Sequence, residues 1–457
     1  MTIQDPHKAT IETAARPVAL VQLPFPSQSV ALPVLMRYYQ IYEKEYQNVF
    51  PEYKLAEGDL WEAPLWVAHM DGAIGRDDTC FIDLSRVSCQ KEECVKNICR
   101  EVDPSYFIFF SPLAQNLSLA SEVSRMLMER GYCTVIGGNM AELANPEDFS
   151  IVYNGLARAD IYEKILSHKK KSISIEPVLG HVQQPLGYSP NYRLLSTFGK
   201  RVPLIRLHGS HGCLFGCTFC GDAWTRQLHL VEQERLKAEV DEIRRIFPDT
   251  RLIYIGDKTF GQSKESVENL RKVILPAFKF RLIVQTHVTM ISPWLLDAME
   301  ELGVEVVEMG FETASSMTLR ELKKLGGEER FMEALQALKS RGLRVILNVL
   351  GGLPNETRES QQRTLDFLEQ TAHFVWLYNL YNFVPYPKTP LFPLIRDRIV
   401  DWNFQNWRED GPVVFTPLHQ TREEAWEYFL RLVDVSTNLI LRRQMLSKEI
   451  LDEEACA

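Results

Sequence analysis

Short unbroken apolar runs, the pattern of strands buried on both faces, occur at residues 18–23, 106–111 and 133–136. Between the last two, Leu119, Val123, Met126 and Leu127 fall at helical spacing within residues 117–130, and Gly131 offers a left-handed stop. Strand, helix, strand with short connections predicts a parallel α/β sheet, which binds ligands beyond the carboxyl ends of its strands. Farther along, strand-like runs at 203–207, 252–255, 282–285, 304–309, 345–350 and 374–380 are separated by helical patterns such as 231–247 and 331–341. Six such repeats suit an open doubly wound sheet or a partial barrel, and periodicity does not choose between them.

Residues 167–200 mix Lys, Pro, Gly and Ser with no sustained period, which predicts a crossing segment. The expected organisation is an arm at 1–16, a first α/β domain at 17–175, a linker at 176–200, a second α/β domain at 201–395 and a helical C-terminal region at 396–457. That last region holds Trp402, Trp407 and Trp426 and an amphipathic pattern over 423–443. The aromatic residues of 376–426 suit either core packing or the wall of a pocket for a flat or apolar substrate.

With 45% hydrophobic and 24% charged residues in 457, the composition is that of an ordinary globular chain. No run approaches the ~20 apolar residues of a membrane span. The first sixteen residues have neither an apolar core nor a cleavage site, so the chain reads as cytoplasmic. A net charge of −9 argues against a nucleic-acid surface, and the basic run at 168–171 reads as a solvated linker. Nine cysteines in such a chain should be thiols or metal ligands. Cys89, Cys94 and Cys99 recur every five residues, about 140° apart on a helix, so they share no face and read as ordinary thiols.

The other pattern carries chemistry. Residues 211–221 read HGCLFGCTFCG, placing Cys213, Cys217 and Cys220 in C-x3-C-x2-C directly after the first strand of the second domain. Three thiolates ligate three corners of a 4Fe-4S cluster, leaving one iron open to chelate the amino and carboxylate groups of S-adenosylmethionine (SAM). The competing chemistry is a zinc site with His208 or His211 as fourth ligand, although structural zinc usually takes two close ligand pairs.

Phe219 completes C-x3-C-x-aromatic-C, and the second domain resembles the radical SAM superfamily. The resemblance implies a partial (β/α)6 barrel, a 4Fe-4S cluster on the three cysteines and bound SAM. It places SAM contacts at Phe219, at Gly256 and Asp257 after the second strand, and at Gly310 and Glu312, whose G-x-E ends the fourth strand. The usual two glycines and glutamate are missing around Asp257, so Glu312 is the closer match. Further contacts are implied at Asn348, Gly351, Gly352 and Pro354, where a turn without Cβ atoms lets the backbone approach adenine. Residues 384–391, VPYPKTPL, resemble the P-Y-P-G-T-P-L segment of the cobalamin-associated branch.

Residues 106–166 are similar to the cobalamin (B12)-binding domain of that branch, which implies a Rossmann-like parallel sheet ahead of the barrel. Ser111-Pro-Leu113 matches its S-x-L, Gly137-Gly138 its paired glycines, and the run from Asn145 to Gly155 the segment before a glutamate that here is Leu156. Cobalamin contacts are thereby implied at Ser111, Leu113, Gly137, Gly138, Asn139, Asn154 and Gly155. No D-x-H-x-x-G occurs, and His69-Met-Asp-Gly72 has the residue types in the wrong order, so the lower face of cobalt is expected to lack a histidine. The implied activity is transfer of a SAM-derived methyl group to a carbon of a small-molecule or peptide substrate, with an electron donor such as flavodoxin or ferredoxin. A cobalamin-free radical SAM dehydratase, epimerase or decarboxylase, and a zinc-stabilised binding protein, are the alternatives.

Overall fold

The computed structural model describes residues 16–25, 32–52, 62–154, 157–167, 172–174, 187–198, 204–221, 227–277 and 280–456. Gly155 lies outside them. Val18–Gln22 (β1), Thr79–Asp83 (β2), Phe107–Phe110 (β3), Cys133–Ile136 (β4), Ile151–Asn154 (β5) and Ser172–Ser174 (β6) form a parallel sheet ordered β2-β1-β3-β4-β5-β6. Strands β1 and β3 are apolar at successive positions because both faces are covered. Ala19, Val21, Ile108 and Phe110 share one core with Lys91–Glu101 (α3) and Leu117–Met128 (α4). Leu20, Phe107 and Phe109 share the other with Leu65–Ile74 (α2) and Ile161–Ser167 (α5). The strand order reverses between β1 and β3, which opens a crevice beyond their carboxyl ends.

In the second sheet, Leu204–Leu207 (β7), Leu252–Ile255 (β10), Arg281–Thr286 (β11), Val304–Glu312 (β12), Arg344–Gly351 (β13) and Leu377–Asn382 (β14) are parallel and lie in chain order. Between β7 and β10, Ser210–Gly212 (β8) and Leu228–Leu230 (β9) pair antiparallel around the cysteine loop. A doubly wound sheet needs a reversal of order, and this sheet has none, so the repeats build a partial barrel. Its helices are Gln233–Ile246 (α6), Lys264–Ala277 (α7), Pro293–Leu302 (α8), Ser316–Glu321 (α9), Glu328–Ser340 (α10) and Arg358–Thr371 (α11). Strand β14 starts later than its apolar run because Phe374 N–H closes a turn on Thr371 O at 2.9 Å, and pairing resumes at Trp376.

Between β14 and β7 the barrel has a gap, which the N-terminal part fills with Pro33–Val49 (α1) and the segment before α2. Tyr38 and Tyr42 donate to Tyr378 O (2.6 Å) and Asn379 Oδ1 (2.7 Å) on β14. On the other side, Ala63 N–H donates to Leu204 O at 3.2 Å, and Arg206 Nε donates to Glu62 at 2.6 Å. After Phe392–Ile395 (α12), the C-terminal region is helical in Arg422–Cys456 (α13), whereas residues 396–421 between them make short 3-10 turns. There Asp401 and Asn403 accept from backbone N–H groups two residues on, competing with helix formation. This segment buries Trp407, Val413 and Phe415 in the core of α3 and α4, joining the two sheets.

Helix α1 is fixed from outside by Arg443 and Gln444 of α13, which donate to Glu45 at 2.6 and 2.7 Å. Glu45→Ala should therefore cost about 1.5–3 kcal/mol, the range for hydrogen bonds to charged groups, and lower the calorimetric Tm by several degrees. Asn438→Ala, at an exposed contact with Arg37, should stay within about 0.5 kcal/mol of the parent. Equal Tm values for the two variants would show that α1 is not held this way.

Candidate functional site

Asp257, just past β10, fixes the root of the cysteine loop. Its Oδ1 accepts from the N–H groups of Gly209 (2.7 Å) and Ser210 (3.0 Å), and its Oδ2 from the hydroxyls of Ser210 (2.6 Å) and Ser266 (3.4 Å). Burial pushes the carboxyl up to about 6, and these four bonds oppose the shift. Asp257 therefore positions the loop, with both its oxygens engaged by it or by Ser266. Gly256 answers to His208, whose Nε2 would lie 2.6 Å from a Cβ at that position. His208, His211 and His69 of α2 have ring centroids 5.1 to 6.1 Å apart. Burial keeps them neutral: together with His229 and Lys258 it holds His211 down to about 4, together with His211 it holds His69 to about 3, and His208 is lowered by burial and then by both of these imidazoles.

Beyond its root the loop is tied to several elements. Leu214 N–H donates to Gln262 Oε1 (2.7 Å), Thr218 N–H to Leu322 O (2.9 Å), and Leu391 N–H to Thr218 O (2.8 Å). Phe215 stacks on His287 at 4.1 Å, and Phe219 packs against the core shared by the two sheets. Cys217 is buried, which pushes its thiol up to about 11 against the pull of Lys324, while Cys213 and Cys220 are partly accessible. Three thiols on one short, multiply anchored loop are a donor set that fits a 4Fe-4S cluster with one open iron.

The G-x-E turn owes its form to a buried ion pair. Glu312 takes the left-handed conformation (φ 66°) at a register shift between β12 and β13. Its carboxylate meets Lys324 Nζ at 3.0 Å, with 8% of each side chain exposed. A Cβ at Gly310 would meet the tips of both partners, so glycine there lets the pair close without displacement. Burial works against the charge of Lys324, but Glu312, and after it Cys217, outweigh it and hold the ammonium above the ordinary lysine range. Lys324 was not legible in the sequence, where it stands in an unremarked LKKLGG run; its only signal is an acid twelve positions earlier.

After β13 the glycines make room for protein. At Gly352 (φ 65°) a Cβ would overlap Asn382 and Val413, and at Gly351 it would lie 3.0 Å from Phe429 of α13. Pro354 O accepts from Leu418 N–H (2.8 Å), and Asn348 Oδ1 accepts from Asn379 Nδ2 (2.9 Å) inside the barrel. Glu356, also unassigned from sequence, accepts from Leu353 N–H at 3.2 Å, and burial pushes it up to about 8.

In the first sheet a cavity of about 540 Å³ lies at the β1/β3 crevice, its lining including Gln22, Glu62, Trp66, Ser111, Leu113 and Asn116. That volume is in the usual range for small-molecule sites. Gly138 (φ 83°) brings the β4 turn so close that a Cβ would lie 2.6 Å from Ser111 Oγ, and one at Gly137 would lie 2.9 Å from the Phe109 ring. Ser111, Leu113, Gly137 and Gly138 are therefore gathered at one edge. Asn139 is exposed; Asn154 ends β5, and its Oδ1, like that of Asn116, is buried without a hydrogen-bond partner. Asn116 lines the cavity, and its orphaned acceptor suits a ligand that donates hydrogen bonds.

A cysteine loop at the mouth of a partial parallel barrel, behind a Rossmann-like sheet, defines the class. Residues 207–368 match the family model of the Radical SAM superfamily, and the chain carries a radical SAM domain, which implies a 4Fe-4S cluster and SAM. The fold is similar to that of the radical SAM methyltransferase TsrM of Kitasatospora setae, solved with cobalamin and a 4Fe-4S cluster: TM-score 0.59, 14% identity, 91% of this chain and 85% of that one. It is also similar to the cobalamin-dependent SAM radical enzyme OxsB, with TM-score 0.55 and 14% identity over 92% of this chain and 56% of that one. In sequence the chain is 22% identical over 413 residues to the anaerobic magnesium-protoporphyrin IX monomethyl ester cyclase of Cereibacter sphaeroides, covering 79% of this chain and 64% of that protein. The family match favours an iron-sulfur cluster over zinc on the three cysteines. Among the described residues no helix is long and apolar enough to cross a membrane.

Asp257 yields a prediction with a defined sign. Its folded pKa, about 6, lies above the ordinary value of 3.8, so between those pH values the folded state holds more protons and stability falls as pH rises. Asp257→Asn keeps the acceptor for Gly209 and Ser210 without the buried charge. It should raise the Tm above pH 7, with the gain vanishing below pH 4, and should still take up iron. Asp257→Ala leaves two buried N–H groups unpaired and should lose iron on reconstitution. Full iron content in the alanine variant, measured by iron and sulfide assay, would contradict the positioning role.

Proposed function

We propose that the protein is a cobalamin-dependent radical SAM methyltransferase that methylates a carbon of a small-molecule or peptide substrate. The observation that carries this reading is a shared wall. Glu62 and Ala63 line the β1/β3 cavity, and the same two residues bind Arg206 and Leu204 of the barrel, so the B12-type site and the barrel interior lie back to back. The likeness to TsrM and OxsB supports it. When bound, the cluster supplies the electron that cleaves the SAM sulfonium, and cobalamin supplies a methyl carrier.

The residues divide that work. Cys213, Cys217 and Cys220 hold the cluster. Lys324, fixed beside Cys217 by Glu312, holds the SAM carboxylate, and Glu312 accepts from the amino group or ribose. Ser111, Asn116 and Asn154 supply hydrogen bonds to the corrinoid or its tail. His69 is engaged with Tyr188 at 3.3 Å and packs on His208 and His211, which keeps it from cobalt. A flavodoxin or ferredoxin in the cytoplasm is the proposed electron source.

Each of Cys213→Ala, Cys217→Ala and Cys220→Ala should abolish reductive SAM cleavage, whereas Cys89→Ala, at an exposed thiol, should retain it. Lys324→Met should weaken SAM binding about tenfold or more, as expected for a charge-assisted bond of about 1.5–3 kcal/mol. Anaerobically reconstituted protein should bind about one cobalamin per chain, with a Co(II) EPR spectrum free of nitrogen splitting. Protein that cleaves SAM but takes up no cobalamin would move the reading to the cobalamin-free enzymes.

A further inference from the structure

The barrel is hollow where its polar residues face inward. Along its strands Ile205, Leu207, Val284, Val307, Met309, Leu347 and Val349 are fully buried under the helices. The alternating set, Arg206, Gln285, Glu308, Asn348, Asn379 and Tyr381, keeps water-accessible surface although it lies inside the barrel. Register aligns this set on one face: Gln285 pairs with Glu308, Asn348 with Asn379, and Leu350 with Tyr381. Bonds across the lumen confirm the direction, since Tyr254 O–H donates to Glu308 at 3.0 Å over the intervening strand β11. One step toward the strands' amino ends, Leu252, Ile283, Val306, Ile346 and Leu377 are buried and make an apolar floor. A chamber with polar walls and a closed floor therefore opens toward the cysteine loop.

Charge in the chamber is unbalanced. Arg206 is matched by Glu62 at 2.6 Å. Among the described residues Glu308 receives a hydrogen bond only from the uncharged Tyr254; burial pushes it up to about 7, outweighing that bond and the pull of Arg206, whose charge is shared with Glu62. Toward the mouth Glu409 accepts from the Tyr386 hydroxyl at 3.3 Å, and burial raises it as well. Asn348, Asn379, Gln285 and Tyr42 add amide and hydroxyl groups suited to a ligand rich in hydroxyls.

We propose that this chamber is the deep end of the substrate site and selects a small hydroxylated amine, whose ammonium group is received by Glu308. The proposal rests on reading the barrel as the reaction chamber. It makes Glu308 a specificity residue and α1, through Tyr42, part of the substrate wall.

Saturation-transfer NMR on the reconstituted full chain tests it with three probes of one size: glucosamine, glucose and glucuronate. Glucosamine should bind at least tenfold more tightly than glucose, and glucuronate not at all. Glu308→Gln, which keeps the shape, should bring glucosamine down to the level of glucose. Glu308→Gln should also keep the parent's calorimetric Tm and its glucose binding, which guards against a folding defect. Glucosamine binding that is unchanged in Glu308→Gln, or glucuronate binding as tight as glucosamine, would overturn the proposal. Protein that cleaves SAM but prefers none of the probes would overturn it too, while leaving the radical SAM reading intact.

Discussion

A six-stranded parallel sheet that curves without closing leaves an open edge at each end, and its backbone groups and polar lumen need partners. Here both edges are met by the N-terminal part of the chain: β7 by Ala63 and Glu62, and β14 by the tyrosine hydroxyls of α1. Everything functional depends on that closure. The lumen is enclosed because α1 fills the gap, and the β1/β3 cavity borders the barrel because the segment before α2 belongs to both. The two units thus share walls, with the C-terminal segment around Trp407 packed between them as a second bond.

Within that frame the cysteine loop is held by polar groups that are themselves buried. Asp257 grips its root, and the Lys324–Glu312 pair flanks its centre. Both arrangements carry a conformational or desolvation cost, in a left-handed glutamate and a raised carboxyl pKa. Such costs persist where surrounding structure over-determines them, and here the constraint is visible. Gly310 leaves no atom that interferes with the pair, and Asp257 satisfies backbone groups that have no other acceptor.

What the sequence made legible was the local part. The C-x3-C-x2-C spacing is readable because a cluster needs its thiols on one short loop, and strands such as β4 and β10 because burial on both faces leaves unbroken apolar runs. Helix α1 was invisible to apolar periodicity, since its packed face includes Tyr38, Glu45 and Tyr46, whose polar atoms meet partners hundreds of residues away. Asp257 stands out in the sequence, but its grip on Gly209 and Ser210 does not, because those donors lie beyond the end of a different strand. Gly351 and Gly352 signal that no Cβ fits, but a sequence cannot say whether a nucleotide or Phe429 and Val413 fill the space.

The distribution of charge along the barrel axis follows from these same contacts. At the mouth, Lys324 stays charged because Glu312 and the Cys217 thiol outweigh its desolvation. At the root, three imidazoles stay neutral because burial, and after it neighbouring imidazoles and Lys258, disfavour a further cation. In the lumen the acid Glu308 accepts from the neutral Tyr254 and shares the one nearby cation named for it, Arg206, with Glu62. A molecule with an ammonium group would therefore find its most favourable end of the chamber at depth, away from Lys324, and its uncharged carbon skeleton would be left facing the cysteine loop. Orientation of the substrate would then be set by the field of a few buried groups, with no close shape match required at the reacting end.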